Sequence, residues 1–87
     1  MPNREEITNL VTTVLAEVTF NDPNDFQLQS VLAVELNLTK DDIVNATKKI
    51  SQQLDISPNE IERAIGADEI ETVADLVDAV IEEMELG

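Results

Sequence analysis

Apolar residues recur along most of this chain three and four positions apart, and polar turn clusters divide them into segments. In the first segment Ile7, Leu10, Val11, Val14, Leu15 and Val18 fall on one side of a helix with its 3.6-residue period. Asn3 can accept a hydrogen bond from the first turn, and Glu6 stands three residues on, at capping-box spacing. Asn21-Asp22-Pro23 breaks the pattern. The spacing predicts a helix over residues 4–18. A second helix is predicted over 40–54. Thr39 and Asp42 form a Thr-x-x-Asp box, and Asp41 and Asp42 sit where the helix dipole favours negative charge. Ile43, Thr47, Ile50 and Leu54 make its inward stripe, flanked by Val44 and Ala46, and Pro58 cannot continue it.

Ser57-Pro58-Asn59-Glu60 reads as a new start, with Pro at the first helical position. Ile61, Ala64 and Ile65 follow, and Gly66 is expected to end this short third helix in the left-handed conformation. Thr72-Val73-Ala74-Asp75 caps a fourth, over 73–85, whose stripe is Val73, Leu76, Val77, Val80, Ile81 and Met84. Asp75, Asp78, Glu82, Glu83 and Glu85 lie off that stripe and are expected on a solvated face. Between residues 21 and 38, Val31, Leu32, Val34, Leu36 and Leu38 match neither the helix nor the strand period. That stretch is expected to be a long connection with room for a short helical turn, laying apolar side chains on the core; structured loops of this length are often functional. The fold class that follows is all-α: three long helices and a short third, bundled to bury their stripes. The long connection leaves the first two helices free to lie antiparallel or roughly parallel.

Composition narrows the function. Eighty-seven residues suit one domain with a modest core. The net charge is −14, from 19 acidic and 5 basic residues. A field of that sign repels phosphate backbones and anionic lipid, so neither nucleic acid nor membrane is an expected partner. It attracts basic protein surfaces, and it also keeps a small protein in solution. The chain has no cysteine, hence no disulfide or thiolate metal site. It has no histidine, the usual general base and the commonest metal ligand. No leader pattern opens the chain and no apolar run reaches bilayer length, so a cytoplasmic protein is expected. There is no glycine-rich nucleotide loop and no nucleophile elbow. Asn21 to Asp25 is rich in oxygen ligands, but it holds a proline and lacks the central glycine of a calcium loop. A chain of this size is not expected to offer a cleft that perturbs a carboxylate. An enzyme is therefore not expected.

Ile70-Glu71-Thr72-Val73-Ala74-Asp75-Leu76-Val77 resembles the start of the last helix in acyl carrier proteins, where a Thr-Val pair caps the helix. Leu54-Asp55-Ile56-Ser57-Pro58 is similar to that family's segment after its second helix. With the first helix, the resemblance covers essentially the whole chain. It implies an acyl-carrier-protein-like four-helix bundle. It also implies a discrete acyl or peptidyl carrier protein, tethering thioester-linked intermediates on a 4′-phosphopantetheine arm for fatty-acid, polyketide or nonribosomal-peptide type biosynthesis. The arm hangs on a serine at the start of the second helix, and partner enzymes do the chemistry. The implied partners are a phosphopantetheinyl transferase and biosynthetic enzymes with basic docking surfaces that meet the acidic second helix, here Asp41 and Asp42. A monomer is expected.

Two alignments place the attachment point differently. Aligning on the second helix sets Leu36-Asn37-Leu38-Thr39-Lys40-Asp41-Asp42-Ile43 against Leu-Gly-x-Asp-Ser-Leu, with Lys40 at the serine position and Thr39 beside it. Lysine cannot form the phosphodiester, and the Thr39 hydroxyl is also the expected N-cap. Locally, Leu28-Gln29-Ser30-Val31-Leu32-Ala33-Val34-Glu35-Leu36 resembles the family's Leu-Asp-Ser-Leu followed by Ala-Val-Glu-Leu, which makes Ser30 the attachment residue. That choice requires the second helix to begin near Ser30 and run through Asn37 and Thr39. The alternatives are a carrier fold that has lost its arm and serves as a protein-interaction module, or a bundle unrelated to carriers. Where the second helix begins separates the two attachment sites.

Overall fold

The computed structural model describes residues 3–86, with helices at Arg4–Thr19 (α1), Lys40–Leu54 (α2), Asn59–Gly66 (α3) and Val73–Leu86 (α4). Three of the four starts are set by the side chains that mark them in the sequence. Asn3 Oδ1 accepts the Glu6 N–H at 2.8 Å. Thr39 Oγ1 accepts the Asp42 N–H at 3.1 Å while Asp42 Oδ2 accepts the Thr39 N–H at 3.0 Å, a complete capping box. Thr72 Oγ1 accepts the Asp75 N–H at 3.1 Å and Asp75 Oδ2 returns the bond to the Thr72 N–H at 3.1 Å. α3 begins one residue later than its motif suggests. Pro58 precedes the helix and its carbonyl accepts the Glu62 N–H at 2.8 Å, while Ser57 Oγ reaches only the Asn59 N–H, at 3.4 Å.

The helix ends depart from expectation. Gly66 stays helical, and Asp68 takes the left-handed conformation instead, with φ 60°. The Asp68 N–H donates to Ile65 O at 3.2 Å and the Glu69 N–H to Ala64 O at 3.0 Å, the paired bonds of a Schellman motif. α2 closes in the same way: Asp55 has φ 55°, its N–H donates to Gln52 O, and the Ile56 N–H donates to Ser51 O at 3.0 Å. After α1, Phe20 has φ 59° and the Asn21 N–H returns to Ala16 O at 3.0 Å. These bonds satisfy carbonyls that a helix end otherwise leaves open. No glycine takes any of the three positions.

α1 packs on both α2 and α4, and α3 packs against α2 and α4. The buried stripes are Ile7, Val11, Val14 and Leu15 of α1; Ile43, Ala46, Thr47 and Ile50 of α2; Ile61 and Ile65 of α3; and Val73, Leu76, Val77 and Val80 of α4. The connection from α1 to α2 adds Phe26, Leu32 and Leu38 to the same core. It turns once as a 3₁₀ helix at Pro23–Asp25. Of its apolar residues, Val34 is not laid on the core but stands 78% exposed. Three backbone bonds then tie this connection to the start of α4: Leu32 N–H to Glu71 O at 2.8 Å, Val73 N–H to Ser30 O at 3.1 Å and Ala74 N–H to Leu28 O at 2.8 Å. With the Thr72 hydroxyl on the Asp75 N–H and Thr72 O accepting the Leu76 N–H at 3.2 Å, each of the first four amides of α4 has an acceptor. The long loop thus behaves as an ordered part of the bundle. No helix among the described residues is long and apolar enough to cross a membrane.

Candidate functional site

α2 begins at Lys40, not near Ser30, so the residues at its N-terminal end are Thr39, Lys40, Asp41 and Asp42. The Thr39–Asp42 box positions them. A β-region Thr39 turns the chain into the helix, and the box holds both its own N–H and that of Asp42. Thr39, Lys40 and Asp41 are exposed, and Asp42 is half-buried. The Lys40 ammonium meets Asp68 Oδ1 at 2.8 Å, an exposed pair that joins the start of α2 to the α3–α4 turn. Exposed pairs of this kind contribute little to stability, so their effect is mainly on where the charge sits. Asp41 forms no ion pair among the described residues and presents its carboxylate beside the helix start.

Ser30 is elsewhere in the fold. Ten residues before α2, it is 7% exposed, and its Oγ accepts the Gln27 N–H at 3.1 Å. Its backbone is held at both ends, the N–H donating to Gln27 O at 3.0 Å and the carbonyl accepting from Val73. Ser30 therefore serves the start of α4, and the structure does not bring it to Thr39 and Lys40 as one helix-start cluster. A phosphopantetheine arm needs an exposed hydroxyl. Lys40 has none, Ser30 is covered, and Thr39 has an exposed one that already caps α2. The residues present fit the group poorly.

Two groups are electrostatically distinct. The Asp75 carboxyl is held below its ordinary range, first by the Glu71 N–H at 3.0 Å, against some opposition from partial burial, and further by Thr72. Arg63 is held above its ordinary value, first by the hydrogen bond to Glu60 and that carboxylate's charge, then by Glu69. No group of three or more acidic residues among the described residues could hold a metal ion.

Sequence reasoning missed Glu83. Instead of standing on a solvated face it is 7% exposed. The clue was available: Glu83 follows Val80 by three and Leu76 by seven, which puts it on the buried stripe. The Lys40–Asp68 pair had no sequence signal, because it depends on how the α3–α4 turn folds back toward α2. Comparison with family models, curated proteins and solved structures gives no match to this chain.

Proposed function

We propose that this chain is a carrier-fold protein without an arm, acting as a non-catalytic interaction module that docks on a basic partner surface. The observation that carries this reading is Lys40 at the first position of α2, its ammonium bonded to Asp68 where a carrier has its attachment serine. The order of long helix, long loop, long helix, short helix, long helix supports the carrier-like half of the reading, as does α3 packing against α2 and α4. The strongly acidic composition, with Asp41 exposed at the helix start, supports a basic partner. The test is intact mass after incubation with coenzyme A and several phosphopantetheinyl transferases, alongside protein isolated from its native source. No added arm is expected in either sample; a covalent arm on any hydroxyl overturns the reading. The carrier reading is kept alive by one feature, the exposed Thr39 hydroxyl at the start of α2. It predicts an arm that Thr39→Val removes.

A further inference from the structure

We propose that the cleft between α3 and α4 binds an alkylammonium group. The cleft has a volume of about 140 Å³. Glu83 lines it, is 93% withdrawn from solvent, and makes no hydrogen bond or ion pair among the described residues. Its carboxylate oxygens stay accessible at the cleft and hold no donor from the protein, so a cation entering the cleft would meet an unshared acceptor. The surroundings have the same sign. Glu60, Glu69 and Glu82 line the cleft as well, against the single guanidinium of Arg63. Arg63 is already engaged, with Nε 3.1 Å from Glu60 and Nη1 3.5 Å from Glu69, and no bond joins it to Glu82 or Glu83.

Geometry selects the kind of cation. Among the described residues no three carboxylates converge as a metal requires. An organic cation needs one unshared countercharge and an apolar wall for its stem. Ile61, Ala64 and Ala79 supply that wall. The volume is well below the roughly 300–1,000 Å³ of sites for drug-sized ligands, which suits a single side-chain-sized group. A primary ammonium on a short aliphatic stem has the matching chemistry, whether it is a partner's lysine or a free diamine. The inference stands on the α3–α4 geometry and does not depend on the presence or absence of an arm.

The test is amide NMR titration of the full chain with N-acetyl-lysine methylamide and, separately, diaminobutane, at constant ionic strength. Saturable shifts confined to residues 60–64 and 79–83 are expected. Glu83→Gln should weaken binding about tenfold, as expected for loss of a charge-assisted contact, and Glu85→Gln, which removes an equal charge outside the cleft, less than about twofold. Ala79→Leu keeps every charge and fills the cleft, so it should also abolish the saturable shifts; it tests the site independently should Glu83→Gln perturb the fold. Binding of the lysine compound alone assigns the cleft to a protein side chain, and binding of both shows that a free amine suffices. Shifts spread over the whole acidic surface, or affinity unchanged in both Glu83→Gln and Ala79→Leu, would overturn the proposal.

Discussion

Replacing Asp75 by alanine removes one carboxylate that serves two backbone donors at the start of α4. Asp75 Oδ2 accepts the Glu71 N–H at 3.0 Å and the Thr72 N–H at 3.1 Å. Losing a capping acceptor costs about 0.5–2 kcal/mol. Losing a negative charge from a helix N-terminus adds about 0.3–1 kcal/mol. The expected loss is therefore about 1–3 kcal/mol, set against a total of roughly 4–13 kcal/mol for a domain of this length. Urea unfolding followed by far-ultraviolet circular dichroism measures it, since the chain has no tryptophan or tyrosine to report by fluorescence. Asp75→Asn keeps an acceptor and loses the charge, so it should cost less. The pH dependence follows from the sign of the shift. The folded Asp75 carboxyl titrates below its unfolded value, so its contribution is complete above the unfolded pKa of about 3.9 and is lost as pH falls through the lower folded value. The gap between wild type and Asp75→Ala should be constant above about pH 5 and shrink below about pH 4. Amides of Leu32, Val73 and Ala74, which tie the loop to this helix start, should exchange faster in the variant. A loss under about 0.5 kcal/mol at neutral pH, or a gap that widens in acid, would refute the argument.

The remaining predictions are read by the same unfolding experiment. Leu32→Ala, 1% exposed within the loop, should cost about 2–5 kcal/mol, whereas Val34→Ala, 78% exposed and two residues away, should stay within about 0.5 kcal/mol. Phe20→Gly should stabilise by about 0.5–1 kcal/mol, because a 96% exposed phenylalanine in the left-handed region contributes backbone strain and no burial. Gly66→Ala should stabilise by about 0.5–1 kcal/mol, since the residue is helical and an added Cβ meets nothing within 4 Å. Ser51→Ala should cost nothing and add up to about 1 kcal/mol, because the buried Ser51 Oγ has no hydrogen-bond partner among the described residues. A measured loss above about 1 kcal/mol would show that the hydroxyl is satisfied.

What the sequence by itself determined is the set of helices and nearly all of their starts. An N-cap, the residue three positions on and a 3.6-residue stripe are local features, and each acts through groups within one turn. Hence α2 and α4 begin where Thr39 and Thr72 mark them, and the long connection is an ordered loop, as its mixed period suggests. Tertiary structure decided what depends on neighbours from other helices. Asp68 rather than Gly66 takes the left-handed position because Gly66 stays in the last turn of α3 and the closing bonds to Ile65 O and Ala64 O come from Asp68 and Glu69. Leu32 is buried and Val34 exposed because the loop lies along the start of α4, a register that no local period encodes. Ser30 has a carrier-like sequence around it, yet it is covered, because the amides of α4 need the carbonyls of Ser30 and Leu28. Glu83 reads as a solvated charge only until α3 packs beside it: whether a side chain meets water is settled by the other elements that cover it, not by its own helix.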